Sequence, residues 1–120
     1  MTNQETAELA LAVGRRVRPG MEFYRHVACK PGEVMCRWPG LGGEVWPYNP
    51  TVPGQASAEA LAWLWVRCEE VMFQRADVTA TGSGARVGAY TKTGMVIEAF
   101  GATPEEAVAR IIADWPGEEG

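Results

Sequence analysis

One histidine and three cysteines make up the whole imidazole and thiol inventory of this 120-residue chain. The odd cysteine count fits reduced thiols better than a disulfide framework. His26, Cys29 and Cys36 stand at His-x2-Cys-x6-Cys spacing, three ligands where a structural zinc needs four, and Cys68 falls in a predicted helix core. No metal site is therefore expected, and those three residues are the candidates should one exist. No motif sets a base beside a serine or cysteine, so a nucleophilic triad has no support, and a non-enzyme without catalytic residues or a cofactor is expected. Long apolar runs are absent too. Nothing approaches the ~18 residues of a membrane span, and the opening MTNQETAELA is polar and acidic, unlike a charged-then-apolar leader. The expected location is the cytoplasm, with no membrane contact. Positive charge is also short overall, at a net −4, so bulk affinity for duplex nucleic acid is not expected.

What is present is apolar residues at 47% and five tryptophans, enough for one domain over residues 1–120. Residues 57–116 read as an α-β-β-β-α core. Ser57 is the expected N-cap of a helix over 58–74, a stretch free of Gly and Pro. Leu61, Leu64, Trp65, Cys68, Val71 and Met72 share its apolar face, and Trp63 falls among Glu59, Arg67, Glu70 and Gln74 on the other. Trp63 is then either packed under the N-terminal segment or a contact for a partner or ligand. Val78–Thr81, Arg86–Thr91 and Met95–Phe100 read as an antiparallel meander with turns at 82–84 and 92–94. Thr103, Pro104 and Glu106 supply the N-cap, N1 and N3 signals of a closing helix whose Val108, Ile111, Ile112 and Trp115 form a core stripe. Glu105 and Glu106 diverge by about 100° on that helix and cap it, so they are not a catalytic pair.

Residues 1–56 read as an N-terminal helix and a Pro/Gly/Trp-rich lid. Thr2 and Glu5 make a capping box, and Leu9, Val13 and Val17 give a helix that Pro19-Gly20 ends. Gly14 weakens that helix by about 1 kcal/mol relative to Ala. Met21–Val27 allows a short strand, after which closely spaced Pro and Gly predict an ordered but irregular lid over 21–54. The fold class is thus α+β: a three-stranded antiparallel sheet packed with helices in the order α, irregular lid, α, β, β, β, α.

Three segments, AELALAVGRRV (7–17), YNPTVPGQASAEALAW (48–63) and GATPEEAVARII (101–112), resemble the phage ABA sandwich domain family of small phage and prophage proteins. The likeness covers about two-thirds of the chain, leaves residues 21–46 outside it, and is carried by capping and core patterns. It implies a phage origin and an accessory role, counter-defence among them, and transfers no catalytic residue. The order helix, three strands, helix also occurs in double-stranded-RNA-binding domains, but Pro104-Glu105-Glu106 stands where that family opens its second helix with phosphate-gripping lysines.

Charge is uneven along the chain. Residues 1–50 carry six Lys/Arg against five Asp/Glu, and residues 51–120 carry five against ten. Arg15, Arg16, Arg18, Arg25, Lys30 and Arg37 face only Glu22 and Glu33, close to Trp38, Trp46 and Tyr48. For the arginines of the first helix, the favourable field at a helix C-terminus is an equal explanation. Guanidinium groups beside aromatic faces suit planar anions, so the expected function is capture of a small anionic ligand such as a nucleotide signal. The candidate binding residues are Arg15, Arg16, Arg18, Arg25, Arg37, Trp38, Trp46, Tyr48 and Trp63. The alternative is docking on a host defence or nucleic-acid-handling protein through the acidic C-terminal half and Trp63. Association into homo-oligomers is compatible with either.

Overall fold

The computed structural model describes residues 2–25, 29–30, 32–40, 44–77 and 83–116. The chain begins with α1 (Asn3–Val17), where Thr2 Oγ1 accepts from the Glu5 amide at 3.1 Å and Glu5 Oε1 accepts from the Thr2 amide at 2.7 Å. This reciprocal box satisfies two of the donors a helix start leaves open. Strands β1 (Glu22–Tyr24), β2 (Val34–Arg37) and β3 (Trp46–Tyr48) then form an antiparallel sheet in that order. The segment predicted as an irregular lid therefore contains a sheet of its own, the first of two. Its strands are three or four residues long because Pro and Gly interrupt them, which is why period-two alternation was not visible in the sequence.

Helix α2 (Gln55–Arg67), strands β4 (Cys68–Arg75), β5 (Ala85–Thr91) and β6 (Val96–Gly101), and helix α3 (Pro104–Ala113) complete the fold, with the second sheet antiparallel in the order β4-β5-β6. The α+β class holds, and the observed order is α-β-β-β-α-β-β-β-α. The expected N-cap Ser57 is instead inside the helix: Gly54 is the N-cap, and Ser57 Oγ accepts from its amide at 3.0 Å. The helix predicted to reach Gln74 stops at Arg67, and the chain turns directly into β4. No Gly or Pro marks that break. It is made by pairing with β5, where Val71 lies opposite Ala89 and Phe73 opposite Val87, a non-local gain that overrides helical periodicity. The predicted strand at 78–81 lies outside the described residues.

Shortening α2 also changes which face is buried. Ala60, Trp63 and Leu64 point into the core, whereas Trp65 is 62% exposed and Leu61 and Val66 are uncovered as well. Trp63, expected on the polar side, is 8% exposed and packs edge-to-face on Trp115 with ring centroids 5.4 Å apart. The Arg67 guanidinium covers the other side of the Trp63 ring at 3.7 Å and donates to the Trp63 carbonyl at 3.1 Å, so the neighbouring cation is part of the packing. Thr103 caps α3 through the Glu106 amide, and Val108, Ile111, Ile112 and Trp115 are buried as the sequence predicted.

Helix α1 serves two cores. Leu9, Val13 and Val17 join the cluster built from α2, α3 and the second sheet, while Ala7, Ala10 and Leu11 join Val34, Cys36, Tyr48, Met21 and Phe23 of the first. Phe23 packs edge-to-face on Tyr48 at 5.2 Å, and a Cβ placed on Gly14 would run into the Phe23 ring. Gly14 is therefore a packing residue, its propensity cost offset by the approach of β1. On the far side of the second sheet Arg86 pairs with Glu98 and donates to Gln74 Oε1 at 2.6 Å, while Tyr90, Val96 and Phe100 remain exposed. Both helices cover the same face of that sheet, and among the described residues no element covers the other.

Trp63→Ala is expected to cost about 3–5 kcal/mol, against less than about 1 kcal/mol for Trp65→Ala, measured by denaturant unfolding. Gly14→Ala is expected to destabilise by about 1–2 kcal/mol, the reverse of the gain that helix propensity alone gives. A higher melting temperature for Gly14→Ala would contradict the packing argument.

Candidate ligand-binding cleft

The C-terminal end of α1, the first sheet and the start of α2 converge on a cleft of about 900 Å³. Its walls include Val17, Arg18, Trp38, Trp46, Asn49 and Glu59, with the 52–56 segment forming one rim. Trp38 and Trp46, 45% and 37% exposed, present apolar rings to it. Trp38 sits over the turn after α1, where a Cβ on Gly20 would lie 3.7 Å from its ring; Gly20 itself has a φ of +95°, which Gly adopts without strain.

Arg18 is the charged centre of the wall. Its Nε donates to Glu59 Oε1 at 2.6 Å, its Nη1 reaches Cys36 Sγ at 3.4 Å, and its guanidinium lies 4.8 Å from the Tyr48 ring centroid. Burial works against the charge, yet the bonded Glu59 carboxylate outweighs it and leaves the Arg18 pKa raised. Beneath Arg18 the Tyr48 phenol is buried with no hydrogen-bond partner among the described residues, and desolvation pushes its ionisation up. Desolvation raises the Cys36 thiol likewise, with Arg18 opposing it. Glu59 also accepts from Gln55 Nε2 at 3.3 Å.

The start of α2 forms the opposite rim. Gly54 provides no side-chain cap, and the first intrahelical bond runs from the Ala58 amide to the Gly54 carbonyl at 3.0 Å. The amides of Gln55, Ala56 and Ser57 thus have no acceptor within the helix, and Gly54, Gln55 and Ala56 line the cleft. Such an end attracts negative charge. Glu33 and Glu59 line the cleft too, so among the described residues its side chains sum to one cation against two carboxylates.

Of the residues expected to bind, the fold brings together Arg18, Trp38 and Trp46, with Tyr48 buried behind Arg18. The others lie elsewhere. Arg15 is exposed on α1; Arg16 donates to the Trp115 carbonyl at 3.1 Å; Arg25 is exposed just past β1. Arg37 pairs across strands with Glu22 at 2.7 Å and lies over the Tyr24 ring. Trp63 is a core residue, because α2 ends early and turns it toward Trp115. Glu33, Glu59 and the start of α2 were missed: Glu59 lies 41 residues from Arg18, and no local pattern announces that contact.

Of the metal candidates, His26 lies outside the described residues, and Cys36 is buried under Arg18. Among the described residues no three His, Cys, Asp or Glu side chains gather into a metal-sized cluster. Among them, too, no helix is long and apolar enough to cross a membrane. Comparison with protein-family models, curated proteins and solved structures gives no match.

Cys36 and Cys68 are both buried with raised thiol pKa, desolvation being the main cause in each. An aromatic disulfide reagent should therefore label at most one of the three thiols in the folded chain and all three after unfolding. Rapid modification of two native thiols would contradict the burial described.

Proposed function

We propose that this protein is a binding module that captures a small planar ligand bearing a negatively charged group, nucleotide chemistry being the best match, without turning it over. The observation that carries the reading is a cleft flanked by Trp38 and Trp46 into which the uncapped start of α2 and Arg18 both open. A base has two aromatic rings on which to stack, worth about 1–3 kcal/mol each in comparable sites, and a phosphate or carboxylate has amides and a guanidinium. Glu33 and Glu59 shape the selectivity. They disfavour dense negative charge, so a ligand with one phosphate fits better than a triphosphate.

A phage accessory role in counter-defence, through sequestration of a host nucleotide signal in the cytoplasm, rests on the resemblance to the phage ABA sandwich domain alone. The alternative, docking on a host enzyme through acidic residues such as Glu70 and Asp77, loses its expected apolar anchor with Trp63 in the core.

Titration of mononucleotides, cyclic nucleotides and dinucleotides against intrinsic tryptophan fluorescence tests the reading. Saturable quenching is expected, weakened about tenfold or more by Trp38→Ala. Glu59→Gln should tighten binding of a monophosphate by roughly three- to tenfold, since it releases Arg18 from its carboxylate. No quenching by any of these ligands, with the protein folded, would overturn the proposal.

A further inference from the structure

Among the described residues the longest strand, β4, lies at the edge of its sheet. β4 spans eight residues and, among the described residues, pairs with β5 alone, so the backbone groups on its outer side have no neighbouring strand. Natural proteins usually blunt such an edge with proline or with charges along it. The centre of β4, Val71-Met72-Phe73, has neither. Helix α2, which packs on β4, leaves Leu61 and Trp65 uncovered one turn apart, and Leu61 lines a shallow groove together with Phe73. A helix apolar on its outer side as well as its inner side matches one that is covered on both.

The charges on β4 say what covers it. Glu69 and Glu70 stand at the start of the strand and Gln74 and Arg75 at its end, all exposed. Among the described residues neither glutamate nor Arg75 has an ion-pair partner. Such a strand complements itself when turned end for end. Antiparallel pairing across a two-fold axis through Met72 sets Glu70 against Gln74 of a second copy and Val71 against Phe73, brings Glu69, at the irregular step between Cys68 and Glu70, to the end that carries Arg75, and the axis repeats each pair. An axis through Val71 would bring Glu69 onto Phe73, and one through Phe73 would bring Val71 onto Arg75. The complementarity thus selects the register as well as the partner.

We propose that β4 and the outer face of α2 form a two-fold interface between two copies of this chain, joining their sheets into one six-stranded antiparallel sheet. The seven paired residues, 69 to 75, run about 24 Å. Because α2 packs on β4, the same operation sets α2 beside its copy on one side of the joined sheet, where Leu61 and Trp65 add the apolar area that an interface of about 800 Å² per partner requires.

Sedimentation velocity at about 100 µM, where an interface of micromolar Kd is filled, should give twice the 13.0 kDa of the chain. Arg75→Glu sets like charges against each other at both ends of the pairing and should raise Kd roughly tenfold, with the melting curve of the dilute, monomeric protein unchanged. Combining Arg75→Glu with Glu69→Lys and Glu70→Lys should restore the dimer. A chain monomeric at that concentration overturns the proposal and leaves the edge to a foreign strand. So does a dimer indifferent to Arg75→Glu, or one that the charge swap fails to restore.

Discussion

One partly buried cation ties the end of α1 to α2 and to the first sheet. Arg18 follows α1 directly, and its guanidinium meets α2 through Glu59, β2 through Cys36 and β3 through Tyr48. A charge removed from water must be compensated where it sits, and a carboxylate at 2.6 Å with an aromatic face below does this. The consequence is geometric. Once Arg18 and Glu59 are paired, the end of α1 and the start of α2 are fixed as facing walls, and the strands that carry Trp38 and Trp46 close the space between them. The cleft is thus a by-product of satisfying a buried charge, and its electrostatics follow from that origin: the cation that would attract an anion is already engaged.

Helix α1 can serve two cores because its side chains are small where they need to be. Ala7, Ala10 and Gly14 let the first sheet approach on one side, while Leu9, Val13 and Val17 meet α2 and α3 on the other. In the second sheet the constraint is different. Both helices stack on one face, so the other face and the β4 edge are left to solvent or to a partner. The molecule therefore presents two surfaces of distinct character, an aromatic cleft with mixed charge and a self-complementary strand with an apolar helix beside it. They lie on opposite sides of α2 in sequence terms, at its start and after its end, and can act independently.

Those elements whose signals are local could be read from the chain alone. The capping box at Thr2 and the N-cap at Thr103 start α1 and α3 where side-chain oxygens meet orphan amides, and the 3.6-residue spacing of Val108, Ile111, Ile112 and Trp115 marks a buried stripe, because both effects act within a few residues. The turn at 92–94 is of the same kind, with Gly94 at a φ of +91°. In the candidate site the same reading found Arg18, Trp38 and Trp46, since clustered guanidinium and indole groups are visible as composition.

Tertiary structure alone decided the rest. Residues 68–74 carry helical spacing and no clean period of two, and pairing with β5 nonetheless chose the strand. That choice ended α2 at Arg67 and put Trp63 inside and Trp65 outside. Of the arginines between 15 and 37, the fold gave Arg18 alone to the cleft, handing Arg16 to the end of α3 and Arg37 to Glu22. Glu59, 41 residues away, then joined Arg18 and set the sign of the site. The physical reason is common to all of these: caps, turns and amphipathic stripes are written in neighbouring residues, whereas strand pairing and charge compensation depend on which distant side chain arrives, and only the packed chain contains that information.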